Sequence, residues 1–322
     1  LMSASKNMVK ETARKIRRLE IQGSSKVRKA VVNALRASVE KSRAKNAEEL
    51  REELKKNMLL LANARPTEPE TRTALRIILR AAQKELALEE LKEEIIKACI
   101  EYEKNREKAM QTIAEIGSEA LKDCGVIFTH CHSHTVEGIL KRMHEKGYLQ
   151  EVICTETRPR YQGRITARQL TKAGIDCTMI VDSAARVFIG KADAFLTGCD
   201  AILASGAIVN KIGTSLISLA AKKANVPHYV ASSSHCFDPA TYYEKEEPIE
   251  ERPANEIWEK RFKRLTIKNP AFDVTEAELV KAIICEKGVL TPKRFVKLMV
   301  KELGLNKKPY ISLIDMLKNS SL

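Results

Sequence analysis

No two of the eight cysteines stand as a CxxC pair, and no run of the 322 residues approaches the length of a membrane-spanning segment. Cys99, Cys124, Cys131, Cys154, Cys177, Cys199, Cys236 and Cys285 are scattered, most of them inside apolar stretches. That spacing argues against a secreted disulfide scaffold and for reduced thiols. The opening LMSASKNMVK carries no apolar core of a signal peptide, so no leader and no membrane span are expected, and the expected compartment is the cytoplasm. A GxGxxG loop, a serine triad, a recognisable nucleic-acid module and an internal repeat are also missing. Nucleotide redox chemistry therefore finds no support.

Aspartate is absent from the first sixty residues, where sixteen Lys and Arg face only seven Glu, and the whole chain carries a formal charge of +14. These cations are interleaved with apolar residues at helical spacing: Val9, Ala13 and Ile16, then Val27, Val31 and Leu35. Solvated faces of amphipathic helices explain them first. An electrostatic funnel for a multiply phosphorylated substrate and a contact with RNA are the two other readings.

Two textures divide the chain. Residues 1–121 read as helix throughout, rich in Ala, Leu, Glu, Lys and Arg, with breaks at IQGSS (Ile21 to Ser25) and ARPTEP (Ala64 to Pro69). Residues 122–322 alternate short apolar runs with helical segments: VIFTH, VEGILKRMHEKG, EVICTET, ARQLTKAG, CTMIVDS, AFLTGCDAILA, SLISLAAKKANV, HYVASSS. The expected fold class is α/β, an all-α domain followed by a domain with a mainly parallel sheet covered on both faces. Tyr242 to Asn255, rich in Glu and Pro, reads as an exposed insertion.

Ligands of such sheets bind beyond the carboxyl ends of the strands, and polar residues collect there. IFTHCHSHT (Ile127 to Thr135) places Cys131 among three histidines after the first strand. Strand alternation would send His130 and His132 one way and Cys131 the other. With no second Cys/His cluster nearby, a metal site is not expected, which leaves a catalytic side chain or core. ETRPRYQG follows the second strand, Asp182 the third and Asp200 the fourth. Asp182 with Ser183 suits a helix cap. Asn210 and Lys211 of NKIGT precede a glycine that opens a helix, which suits contact with an anion or hydroxyl at a positive helix end.

The motifs THCHS, TETRPRYQG, VDSAAR, GCDAI, NKIGT and NPAFDVT, with ARPT in the helical part, resemble the family that joins archaeal ribose-1,5-bisphosphate isomerase, methylthioribose-1-phosphate isomerase and the regulatory alpha, beta and delta subunits of the initiation-factor exchange complex. The resemblance runs over nearly the whole chain. It implies a Rossmann-like second domain and a homo-oligomer, a dimer or a hexamer. It also implies a phosphorylated sugar as substrate, no cofactor, a nucleotide as a candidate activator, and Cys131 and Asp200 as the catalytic base and acid. A thiol serves as base once neighbouring cations lower its pKa, and a carboxyl group in a dry pocket holds a proton at neutral pH. Arg65, Gln162, Asn210 and Lys211 match substrate-holding positions, as does the segment Gln22, Gly23, Ser24 and Ser25.

Two positions depart from the isomerase pattern. Gln22-Gly23-Ser24-Ser25 stands where isomerases carry Arg-Gly-Ala and is closer to the alpha regulatory subunit. Cys236 stands where the ribose-1,5-bisphosphate enzyme has a phosphate-binding lysine. Lys26, Arg28 and His235 are the cations nearest to compensate. The expectation is a ribose-1,5-bisphosphate isomerase acting in nucleoside monophosphate degradation. The alternative is a non-catalytic, regulatory-subunit-like protein that binds a nucleotide or sugar phosphate and contacts an initiation factor. Contact with RNA or an initiation factor is the less favoured reading.

Overall fold

The structure, a computed structural model, describes residues 4–21, 23–65, 69–243, 245, 249–307 and 311–319. It divides into two compact units, Leu1–Lys108 with Pro309–Leu322, and Ala109–Lys308.

The first unit contains α1 (Ala4–Arg17), α2 (Ser24–Glu40), α3 (Ala47–Ala62), α4 (Pro69–Ala82) and most of α5 (Leu88–Ala120). Val9, Ala13, Ile16, Val27, Val31 and Leu35 are all buried in one core, as the 3–4 spacing requires. Charged residues hold the other faces, where Arg14 pairs with Glu11 at 2.6 Å. Gly23, at φ 87°, opens α2, and Asn46 caps α3 by accepting from the Glu49 amide at 2.8 Å. Two breaks between helices, at 41–46 and 83–87, were not marked by the strong punctuation of IQGSS. A buried ion network crosses the unit. Glu70 takes Arg106 Nε at 2.5 Å and Arg28 Nε at 3.3 Å, and Arg28 also pairs with Glu103.

The unit boundary differs from the change of texture at 121. It falls inside α5, because the last turns of that helix pack Ile113 into the core of the second unit. The chain's final helix, Leu313–Asn319, belongs to the first unit, since Leu313 and Leu317 are buried in the helical core.

The second unit runs β1 (Val126–Thr129), α6 (His134–Glu145), β2 (Glu151–Thr155), α7 (Gln162–Lys172), β3 (Cys177–Ile180), α8 (Ala185–Phe188), β4 (Ala194–Thr197), β5 (Ala201–Ile202), β6 (Ile208–Lys211), α9 (Thr214–Lys223), β7 (His228–Ala231), β8 (Phe272–Thr275), β9 (Ala282–Cys285), β10 (Gly288–Leu290) and α10 (Pro292–Leu303). Seven strands form one sheet in the order β10-β9-β7-β4-β1-β2-β3, parallel except for the edge pair β9–β10. Successive strand residues enter opposite cores: Ile127, Val152 and Leu196 on one face, Phe128, Ile153 and Phe195 on the other. This is the two-sided burial that makes parallel strands read as continuous apolar runs.

AFLTGCDAILA is two strands, not one. β4 lies in the main sheet, and after a turn β5 leaves for a separate antiparallel sheet with β6 and β8. The described part of the Tyr242–Asn255 stretch contains short 3-10 turns and a single antiparallel bridge from Glu251 to Pro270, and it is exposed or half-buried. No helix among the described residues is long and apolar enough to cross a membrane.

Candidate active site

The sheet order reverses between β1 and β4: the chain steps outward through β2 and β3 on one side and through β7 and β9 on the other. A crevice opens at such a switch point, beyond the strand ends. Cys131 follows β1 and Asp200 follows β4, so both arrive at that crevice. Gly198 allows the approach. A Cβ there would stand 2.6 Å from Ser133 Oγ and 2.9 Å from Ser133 Cβ, so a side chain would push the turn carrying Asp200 off the segment carrying Cys131.

β1 ends at Thr129, so strand alternation does not govern the histidines and cysteine after it. Cys131 adopts φ 68°, a left-handed conformation that is uncommon outside glycine. Its two backbone polar groups are held by neighbouring elements. The amide donates to Thr157 Oγ1 at 2.9 Å, and the carbonyl accepts from Thr166 Oγ1 at 2.9 Å. Thr157 is fully buried and itself left-handed, at φ 62°. Its amide and that of Arg158 donate to the Asp182 carboxylate at 2.8 and 2.6 Å. Asp182 therefore caps this neighbouring turn, where the sequence suggested a cap for its own helix.

The charge state of Cys131 also differs from expectation. Burial pushes the thiol up to about 11; Lys211 is the main opposing influence, while Asp200 and Asp182 push the same way as burial. Lys211 does not outweigh desolvation, and the balance favours the thiol over the thiolate. The same balance shows that Lys211, Asp200 and Asp182 all act on the sulfur.

His130 is a bracket, not a second base. Its Nε2 lies 2.9 Å from the Ile212 carbonyl, which can only accept, so Nε2 carries the hydrogen and Nδ1 accepts from Thr155 Oγ1 at 2.6 Å. Burial lowers its pKa and keeps it neutral. The ring thus joins the ends of β1 and β2 to the loop before α9.

Asn210 is buried and donates to Thr214 Oγ1 at 3.0 Å. Lys211 lies half-buried with Nζ 4.8 Å from the Phe272 ring centroid. The amino end of α9, expected to receive an anion, already has one: Asp273 Oδ2 accepts from the Gly213 and Ser215 amides at 2.7 and 3.2 Å. Desolvation raises Asp273 to about 6, against the lowering effect of those amides. Asp273 lies in NPAFDVT and faces Asn210 across the β6–β8 pair, a register that no local pattern reveals.

Gln162 opens α7, and its Oε1 is buried with no hydrogen-bond partner in the described structure. Gly163 follows because nothing larger fits: a Cβ would lie 1.7 Å from the Thr155 carbonyl oxygen. Cys236 is buried in a 3-10 turn after β7, and the Ser234 amide beside it donates to Glu286. In the first unit, Ser24 Oγ donates to Glu70 at 3.2 Å, Ser25 is half-buried, and Arg65 is buried. Arg28 is committed to Glu70 and Glu103 and is not a spare cation. Gln22 lies outside the described residues. Among the described residues one group of metal-type donors, His132, His134 and Glu137, converges next to Cys131. Glu137 lies one helical turn after His134, a carboxylate partner that a search for Cys/His pairs does not reveal.

Residues 20–292 match the model of the Initiation factor 2 subunit family. The ribose 1,5-bisphosphate isomerase of Pyrococcus furiosus is 40% identical over 303 residues, 91% of this chain and 94% of that one. The protein of the same name from Archaeoglobus fulgidus is 38% identical over 92% of this chain and 94% of its own. Among solved structures, a Pyrococcus horikoshii OT3 translation initiation factor eIF-2B aligns with a TM-score of 0.78 at 28% identity, covering 89% of this chain and 98% of that one. The 5-methylthioribose 1-phosphate isomerase of the same organism aligns with a TM-score of 0.77, also at 28% identity, covering 91% and 88%.

Proposed function

We propose that this chain, which belongs to the Initiation factor 2 subunit family, is an aldose–ketose isomerase that converts ribose 1,5-bisphosphate to ribulose 1,5-bisphosphate. The observation that carries the reading is the arrival of Cys131 and Asp200 from β1 and β4 at one switch point, with Lys211 acting on the same sulfur.

In this reading Asp200 donates a proton to the ring oxygen as the bond from carbon 1 to that oxygen breaks. The Cys131 thiol first gives its proton to solvent; the thiolate then removes the proton from carbon 2, becoming a thiol again, and the electron pair of that C–H bond becomes the carbon 1–carbon 2 double bond. The enol then loses its carbon 2 hydroxyl proton and gains a proton at carbon 1. A ketone forms at carbon 2, and atoms and electrons balance within the substrate. Lys211 favours the ionised sulfur, and the buried Gln162 Oε1, which accepts no hydrogen bond within the described structure, supports a contact with a sugar hydroxyl. The family resemblance assigns Asn210, Lys211, Gln22, Gly23, Ser24, Ser25 and Arg65 to phosphate and hydroxyl contacts. Arginine's planar fork suits phosphate. The same resemblance supports a homo-oligomer, a nucleotide activator, a place in nucleoside monophosphate degradation and a cytoplasmic setting.

A second reading, a non-catalytic regulatory protein, draws on Gln22 and on the buried Cys236, which depart from the isomerase pattern, and on Arg28 being committed to Glu70 and Glu103. One experiment separates the two. The purified chain is incubated with ribose 1,5-bisphosphate, with and without AMP, beside methylthioribose 1-phosphate, and ribulose 1,5-bisphosphate is followed. Product from the bisphosphate alone supports the isomerase; no ribulose 1,5-bisphosphate under either condition rejects it.

A further inference from the structure

We propose that His132, His134 and Glu137 form a binding site for Zn2+ that no step of the isomerisation uses. One ligand atom from each, two imidazole nitrogens and a carboxylate oxygen, lie within 4.8 Å of one another. Tetrahedral ligands at Zn–N and Zn–O distances of about 2.1 Å stand roughly 3.4 Å apart, so approaches of about 1.4 Å at most close the three onto one ion. Two histidines and a carboxylate are a donor set that zinc accepts, with a fourth position left for water.

The local fold arranges the donors. His134 is the first residue of α6 and Glu137 lies one turn on, so both project from the same helical face. Ser133 caps the helix, accepting from the Val136 amide, and fixes the segment between His132 and His134. The rings of His132 and His134 meet edge to face with centroids 4.8 Å apart.

His132 is also held in the tautomer a metal needs. Thr166 has one hydroxyl hydrogen, and it goes to the Cys131 carbonyl. The Thr166 oxygen, 3.1 Å from His132 Nδ1, must therefore accept the Nδ1 hydrogen. In neutral His132 this leaves the lone pair on Nε2. A hydroxyl or carboxylate that takes the far N–H of a ligating histidine is a usual part of metal sites, because it fixes ring orientation and raises basicity. Glu137 already pairs with Lys141 Nζ at 2.6 Å. Glu137 is buried, whereas the Lys141 side chain is 42% exposed and can turn to solvent when a divalent ion takes its place.

Equilibrium dialysis and titration calorimetry with Zn2+ alone, on the full chain, test the site. One ion per chain is expected, with binding at least tenfold weaker in Glu137→Gln and in His134→Asn and unchanged in Cys131→Ser. Co2+ substitution gives a second readout. Visible ligand-field bands are expected without the near-ultraviolet band of a thiolate ligand. No binding at tens of micromolar, full affinity in both ligand variants, or a thiolate band that disappears in Cys131→Ser overturns the proposal. Circular dichroism checks that the variants fold. If either does not, proton NMR of the wild type decides: broadening by Co2+ centred on the His132 and His134 ring protons supports the site, and broadening centred elsewhere rejects it.

Discussion

The Cys131 amide donates to Thr157 Oγ1 at 2.9 Å, and this one bond ties the end of β1 to the end of β2. Both residues are left-handed, and Asp182 secures the Thr157 side of the contact through two amides. The Cys131 backbone is therefore held by a threonine hydroxyl, and that threonine by a carboxylate. Thr157→Val keeps the side-chain shape and removes the acceptor, leaving the Cys131 amide without this partner. The expected loss of stability is about 1–3 kcal/mol. Turnover should fall at least tenfold with KM little changed, and Thr157→Ser should restore both. A denaturant titration and steady-state kinetics on the two variants check it; equal damage in both would show that the hydroxyl has no positioning role.

Gly198 is predicted to be the residue that permits Asp200 to reach the site. Gly198→Ala sets a methyl group against Ser133. Overpacking of this kind costs about 1–3 kcal/mol. Activity should drop with the displacement of Asp200. Adding Ser133→Gly removes the opposing atoms and should recover part of both losses. Double-mutant kinetics read the coupling, and strictly additive losses would remove this explanation.

Asp273 should make stability depend on pH in the direction opposite to an ordinary ion-paired carboxylate. Its folded value is raised from 3.8 to about 6, so between those values the folded chain holds a proton that the unfolded chain releases. Stability from this group is therefore full below about pH 4 and is lost as pH rises to 6. Asp273→Asn cannot titrate, and the difference between wild type and variant in urea midpoint should shrink or reverse across that window. A difference that stays constant from pH 4 to 7 would contradict the shift.

Asp200 and Arg65 should separate turnover from binding. Asp200→Asn keeps the shape but cannot supply a proton, so turnover should collapse while affinity for a non-reacting bisphosphate analogue stays within about tenfold, roughly 1.4 kcal/mol. On the proposed reading Arg65→Ala should do the reverse, since its phosphate contact would be made in ground and transition states alike. Calorimetry beside the turnover assay decides it, and equal losses of affinity would remove Asp200 from its role.

Much of this arrangement was legible in the residues. The 3–4 spacing of Val9, Ala13 and Ile16 marked a helix face, and the apolar runs VIFTH and EVICTET marked buried strands, because burial of one face or two leaves a period in the sequence. THCHS and TGCDAI could be set at strand ends for the same reason. What stayed hidden depends on contacts between distant segments. β5, β6 and β8 leave the main sheet, and nothing in the run AFLTGCDAILA shows that it is cut between two sheets. Asp273 reaches α9 only through the pairing of β6 with β8. The thiol of Cys131 reads as activated when its neighbours are counted as cations in sequence, whereas its charge balance follows from desolvation of a half-buried side chain. The final helix joins the first unit through Leu313 and Leu317, a docking that short amphipathic segments do not announce.

The most direct measurement of the account is turnover of ribose 1,5-bisphosphate by the wild-type chain beside Cys131→Ser, with binding of a non-reacting analogue followed on both. Serine keeps the size of the side chain but is a far weaker base at neutral pH. The account predicts ribulose 1,5-bisphosphate from the wild type, a loss of several orders of magnitude in Cys131→Ser, and affinities for the analogue within about tenfold of each other. Product formed by Cys131→Ser at a rate near that of the wild type would contradict it.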